Sequence, residues 1–196
     1  MLAVPAPTIR RAGQPLWSPD STMVAFYASL PAGHFLRVIP ASGGEAKTVM
    51  QFDLPAVGGP GLGRFGLVAW SPDGKALTVA KLDGHISSIS ISDGQSRPLA
   101  NVNDIGTRFA TGLQWSPDGK TLAFKAQKKG EAGQAQVFLF HTQDGRITKI
   151  TDESIDYFWS PDSKWISYRG WGFAKTRPEG VLWEMDVEEA VAKLAR

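Results

Sequence analysis

Few residues in this chain have the type and spacing to do covalent chemistry. Histidine occurs three times, at His34, His85 and His141, and cysteine does not occur. His34 and His85 each follow a glycine at the head of an apolar run, which suits turn residues better than metal ligands or bases. Without cysteine there is no disulfide framework, no thiolate metal site and no sulfur nucleophile. The Gly-x-Ser-x-Gly elbow that presents a hydrolase serine is also missing. Asp152, Glu153 and Asp156 offer oxygens to a hard cation, but no second acidic cluster completes the coordination, so they read as a solvated connection. Gly61-Leu62-Gly63-Arg64-Phe65-Gly66 has phosphate-loop spacing. It follows Pro60 and runs into a strand-like segment, however, so no helix N-terminus stands ready for a pyrophosphate. The expectation is no catalytic group, no cofactor and no metal.

Recognition chemistry is better represented. Arg64-Phe65 and Arg108-Phe109 recur six and seven residues before Trp70 and Trp115. Tyr157, Trp171, Phe173, Lys175 and Arg177 add the aromatic and cationic character typical of interaction hot spots. A scaffold would call for the phenylalanines alone, whereas a guanidinium fork suits a carboxylate or another small anion. These nine residues are the expected binding site. With 21 basic and 19 acidic residues the net charge of +2 is too small and too evenly spread for a nucleic-acid footprint. No apolar run is long enough to span a membrane. The opening MLAVPAPTIRRAG lacks an apolar stretch of secretory type, which makes a cytoplasmic location the default and a periplasmic one the expectation for a processed chain.

The elements that must position these residues are set by a repeat. Trp-Ser-Pro-Asp occurs at Trp17, Trp70, Trp115 and Trp159, at intervals of 44 to 53 residues, the length of a four-stranded unit. Seven residues after each Trp stand Val24, Leu77, Leu122 and Ile166, and nine after stand Phe26, Val79, Phe124 and Tyr168. Between them lie the small Ala25, Thr78, Ala123 and Ser167. This alternation describes a strand whose two faces meet neighbours at different distances, as in sheets stacked face to face. In the turn, Pro fixes φ, Asp bonds the backbone just beyond it, and Gly74 or Gly119 takes positive φ, with Ser21 and Ser163 in their place in the other copies. A second hairpin signal follows as Gly43-Gly44, Asp93-Gly94 and Asp144-Gly145, and the fourth copy lacks it.

Trp70 to Lys75 and Trp115 to Lys120 match Trp-Ser-Pro-Asp-Gly-Lys in full, and they resemble the TolB-type propeller repeat, a relative of the WD repeats. The resemblance implies an all-β fold, a β-propeller of four-stranded blades in one domain over residues 1–196. Separately, Asp186 with Glu189 forms a capping-box pattern that opens a short C-terminal helix at 186–196. The family usually closes with about six to eight blades, so four imply either a small ring, with Val4 to Ile9 as the last outer strand, or a partial propeller completed by self-association or further sequence. The a–b and c–d turns of each blade are short. The irregular b–c and d–a connections, among them 29–33, 82–84, 101–112 and 170–180, make a long-loop face that carries the expected site. Such propellers serve as protein-binding parts of bacterial envelope complexes and as non-catalytic gates of prolyl-oligopeptidase-like and tricorn-like peptidases. The expected function is therefore a non-enzymatic module binding a protein, peptide or small anionic ligand. The alternative is the gating propeller of such a peptidase, with catalytic residues outside this chain.

Overall fold

Backbone N–H and C=O groups that leave water must find partners, and four short extended segments joined by tight turns supply one another. The computed structural model describes residues 11–12, 15–52, 66–130, 135–151, 156–171 and 180–194. It is nearly all β, in four antiparallel sheets that follow one another along the chain. The first holds β1 (Arg11–Ala12), β2 (Leu16–Trp17), β3 (Met23–Leu30), β4 (Gly33–Pro40) and β5 (Lys47–Phe52). Both β1 and β2 lie along the same edge of β3, with Ala12 opposite Ala28 and Leu16 opposite Ala25, so they are two pieces of one inner strand. The second sheet holds β6 (Val68–Trp70), β7 (Ala76–Ala80), β8 (His85–Ser90) and β9 (Ser96–Asn101). A 3-10 turn at Val102–Ile105 leads to the third, with β10 (Thr107–Trp115), β11 (Thr121–Lys128), β12 (Gln136–His141) and β13 (Ile147–Lys149). The fourth holds β14 (Asp156–Trp159), β15 (Trp165–Trp171) and β16 (Gly180–Asp186), followed by α1 (Val187–Leu194).

Two connections expected as loops are ordered. The β3–β4 ladder runs out to Leu30 opposite Gly33, leaving only Pro31 and Ala32 as the turn. Residues 101–112 form the 3-10 turn and most of β10. Pairing extends wherever both segments can stay extended, and proline at a turn position does not interrupt it. Val4 to Ile9, the candidate outer strand of the last blade, lies outside the described residues.

The chain divides into two compact units, Met1–Val79 with Ser87–Arg97 and Ala80–Ile86 with Pro98–Arg196. In the first, Ala25, Leu36 and Val38 of one sheet pack with Val68, Trp70, Leu77, Val79 and Ile89 of the next. In the second, Ala123, Val137 and Leu139 pack with Tyr157 and Ile166, and Ile150 and Val187 close the cluster. The residue eight after one Trp thus meets those seven and nine after the next, as the alternation requires. Each fully buried aliphatic such as Leu77 or Leu139 contributes about 1.5–3 kcal/mol. The tryptophans add a directed bond: Trp70 Nε1 donates to Leu16 O at 3.0 Å, and Trp159 Nε1 to Gln114 O at 3.3 Å. In both cases the acceptor directly precedes the Trp of the preceding sheet. α1 is capped by Asp186, which accepts the Glu189 N–H at 2.9 Å, and Val187 anchors its first turn.

Each Trp-Ser-Pro-Asp turn is tied the same way. Ser18, Ser71, Ser116 and Ser160 donate their hydroxyls to Asp20, Asp73, Asp118 and Asp162 at 2.6 to 2.7 Å. Each Asp also accepts the backbone N–H two residues on, at 3.1 Å. The serine hydroxyls, then those N–H groups, hold the carboxyls of Asp20, Asp73 and Asp162 below the ordinary aspartate value. At Asp118 burial opposes the shift, and the Ser116 and Lys120 bonds outweigh it. The residue after Asp is left-handed in all four turns, with φ of 69° and 72° at Gly74 and Gly119 but 60° and 64° at Ser21 and Ser163. A side chain there is strained, so Ser21→Gly should stabilise the chain by about 0.5–1 kcal/mol in urea unfolding. Ser163→Gly should gain less, because Ser163 Oγ accepts the Asp118 N–H at 3.0 Å.

Candidate functional site

An exposed cation–aromatic pair in the third sheet owes its position to an irregular strand. β10 carries one residue more than β11 between Thr107 and Ala110, and another between Thr111 and Gln114. Such bulges break the alternation of side chains and turn residues out of the ladder. Arg108 and Phe109 occupy the first. Both are exposed, Phe109 by 43%, so Phe109 does not plug the blade.

The backbone beneath them is fixed from two sides. Thr107 is buried and donates its hydroxyl to Val102 O at 2.7 Å, while Lys129 N donates to Gly106 O at 3.0 Å. Asn101 caps the 3-10 turn by accepting the Asn103 N–H at 3.0 Å, and Asn103 Nδ2 in turn donates to Asp83 O at 2.6 Å. Val102 N donates to Gly84 O at 2.9 Å. Gly84 has φ of 95°, and a Cβ on it would lie 3.0 Å from Arg108 O and 2.9 Å from Asn103 Cγ. Only glycine fits that approach.

Above this support, the Arg108 guanidinium makes no hydrogen bond or ion pair among the described residues. Lys128 stands opposite Thr107, Lys125 opposite Thr111, and the exposed Lys129 follows directly. Arg108 and Phe109 together offer a planar fork of five guanidinium donors and an aromatic face, which is chemistry for an anionic group attached to an apolar body. Sequence reasoning did not single out Leu82. Leu82 is 43% exposed, two residues from Gly84, and its only sequence signal is an apolar residue in a polar turn.

The other expected residues fall differently. Tyr157 is buried, donates its hydroxyl to Gly112 O, and has that hydroxyl pushed well above 10 by burial. Gln114 Nε2 donates to Tyr157 O at 2.9 Å, so Tyr157 joins two sheets in the interior and offers no exposed contact. Trp171 ends β15. Arg64, Phe65, Phe173, Lys175 and Arg177 lie outside the described residues, as do Asp152, Glu153 and most of the glycine-rich 61–66 segment.

The histidines are dispersed. His34 stacks on Tyr27 and hydrogen-bonds its hydroxyl. His85 Nδ1 sits 3.1 Å from Asp83 Oδ1. His141 has a buried Nε2 without a partner, and burial, then Arg146, keeps its pKa below the usual histidine value. Among the described residues no three His, Asp or Glu side chains gather to hold a metal, and no helix is long and apolar enough to cross a membrane. A cleft of about 490 Å³ lies against β9 and the turn at Gly145, lined in part by His85, Leu99, Asp104 and Ile147. Its lining comes from β8, β9, the 3-10 turn and the turn into β13, and does not include Arg108 or Phe109.

No family model matches the chain. Two curated proteins are similar over part of it. A protein of Bacillus subtilis named as the uncharacterized peptidase YuxL is 34% identical over 111 residues, 50% of this chain and 16% of that protein. Dipeptidyl-peptidase 5 of Porphyromonas gingivalis is 27% identical over 134 residues, 61% of this chain and 19% of that protein. The chain thus spans less than a fifth of the length of either relative. Among solved structures, a TolB from Agrobacterium tumefaciens superposes with a TM-score of 0.62 at 19% identity, over 95% of this chain and 64% of that one. An oligogalacturonate lyase of Vibrio parahaemolyticus reaches 0.70 at 11% identity, over 94% and 52%. A puromycin hydrolase reaches 0.64 at 16% identity, over 93% and 28%. At these identities the structures show the fold, a TolB-like β-propeller architecture. The expectation of a non-enzymatic protein is corrected by the curated relatives, both of which bear peptidase names.

The tight approach at Gly84 can be checked directly. Gly84→Ala should cost about 1–3 kcal/mol, because it forces both the positive φ and the Arg108 carbonyl contact. Amide exchange should accelerate locally in the 3-10 turn and the start of β10.

Proposed function

We propose that the chain is the propeller part of a peptidase of the prolyl-oligopeptidase-like kind, built from TolB-type repeats, which selects peptides for a hydrolytic centre outside these 196 residues. The observation that carries this reading is the similarity of half or more of the chain to two proteins named as peptidases. The absence of a Gly-x-Ser-x-Gly elbow from the sequence agrees with the division of labour, in which the repeat scaffold binds and another domain cleaves. In this reading Arg108 receives a carboxylate of the peptide, its C-terminus or an acidic side chain, and Phe109 packs against the adjoining apolar group. A charge-assisted bond of this sort contributes roughly 1.5–3 kcal/mol.

Two measurements test it. Protein captured from its source cells with an antibody to this chain should be labelled by a fluorophosphonate probe for hydrolase serines, and a band that stays unlabelled contradicts the peptidase assignment. For the site, Arg108→Ala should weaken binding of peptides with a free carboxylate about tenfold or more, leaving their amidated forms and the melting temperature unchanged. Equal loss for both peptide forms would remove Arg108 from carboxylate recognition.

A further inference from the structure

The cleft against β9 lies wholly within one compact unit, and its lining comes from the second and third sheets and the turn between them. Pro98, Leu99, Ile105 and Ile147 make much of that lining apolar, while His85 and Asp104 supply its ionisable groups. No lysine or arginine is among the lining residues. Asp104 is exposed, and its carboxylate makes no hydrogen bond or ion pair among the described residues.

Asp83 decides which ring nitrogen His85 has left to offer. His85 Nδ1 lies 3.1 Å from Asp83 Oδ1, and the His85 backbone N–H donates to the same oxygen at 2.9 Å. That backbone bond above all holds the Asp83 carboxyl below its ordinary value. An ionised carboxylate can only accept, so the neutral imidazole carries its proton on Nδ1 and keeps a lone pair on Nε2. The backbone under both groups is braced. Gly84 N donates to Lys81 O at 3.1 Å, Val102 N to Gly84 O at 2.9 Å, and Asn103 Nδ2 to Asp83 O at 2.6 Å. The cleft therefore combines an unpaired carboxylate and an imidazole acceptor with an apolar lining, on a backbone that is already ordered.

Since both polar groups accept and one is negatively charged, the complementary ligand is a cationic donor. A metal ion fits poorly, because among the described residues no three His, Asp or Glu side chains gather to hold one. The apolar lining instead calls for a cation with a hydrocarbon body. At about 490 Å³ the cleft has room for one long side chain, and it is open to solvent. Free small ligands bind where most of their surface is enclosed, whereas a side chain delivered by a longer chain needs cover only for its stem. We infer that this cleft is a binding site for a basic side chain, lysine or arginine, of a peptide segment. Its stem lies along Leu99 and Ile147, and its charged head sits between Asp104 and His85 Nε2. The site takes the charge opposite to that drawn by Arg108, and it stands independently of the peptidase reading.

An NMR titration of the full chain decides the matter, with two probes, the capped peptide acetyl-Ala-Lys-Ala-amide and its norleucine analogue. Norleucine keeps the stem and lacks the ammonium, and the caps leave no carboxylate for Arg108. At about pH 8, where imidazoles are neutral, the lysine peptide should shift the amides of His85, Leu99, Ala100 and Gly145. It should bind about tenfold more tightly than the norleucine peptide. Asp104→Asn should abolish that advantage while keeping the melting temperature, since Asp104 is exposed. His85→Leu, which removes the second acceptor and leaves the 3-10 turn alone, should weaken the lysine peptide severalfold and decides the matter if Asp104→Asn melts early. Equal binding of the two peptides, an Asp104→Asn variant of parental stability that still prefers lysine, or shifts confined to residues outside the cleft would each overturn the proposal. Loss or retention of carboxylate binding in Arg108→Ala leaves this result unchanged, so the two sites stand or fall separately.

Discussion

A sheet with apolar side chains on both faces is stable in water only between two neighbours, and this requirement governs how the chain is organised. Ala25 and Val38 on one side of the first sheet, and Leu77 and Val79 on the adjoining side of the second, are buried only because those sheets stack. Burial alone is not directional and would tolerate sliding. The indole bonds from Trp70 to Leu16 and from Trp159 to Gln114 supply the direction, since each fixes one point of a sheet against one carbonyl of its neighbour.

Once sheet stacking is given, the turns follow. The Trp sits at the end of an inner strand, and the chain must reverse at once to lay the next strand beside it. Proline, a serine hydroxyl and an aspartate that accepts two bonds close that reversal with almost no chain length. The uniform turns leave variation to the other connections. There, the bulges in β10 and the close approach at Gly84 present Arg108 and Phe109 on a braced backbone. Under the proposed function, backbone braced in this way costs less conformational entropy on binding than a long loop does.

The fold was largely legible in the sequence because its determinants are local and repeated. The spacing of apolar residues after each Trp, the turn chemistry and the cap at Asp186 all correspond to elements of the structure. Legibility failed where tertiary context decides. Residues 101–112 carry glycines and polar groups in the manner of a loop, and only the packing of Asn103 against the 83–84 turn and of Thr107 under Val102 reveals an ordered 3-10 turn and strand. Tyr157 has the composition of a hot-spot residue, but its hydroxyl finds Gly112 across the sheet interface and its ring goes inside. Arg108 and Phe109 were recognisable from their recurrence before a Trp. The repeat motif's resemblance offered a peptidase's gating propeller only as the alternative; relatives matching part of the chain brought it forward.

The claim that tryptophan couples one sheet to the next is tested most directly by amide hydrogen exchange on Trp70→Ala. Removing this ring should cost about 3–5 kcal/mol. The account predicts that protection falls together in β2 to β4 of the first sheet and in β6 and β7 of the second, because Trp70 packs with Ala25, Leu36 and Val38 and bonds to Leu16. Faster exchange confined to β6 and β7, with the first sheet protected as in the parent, would contradict it.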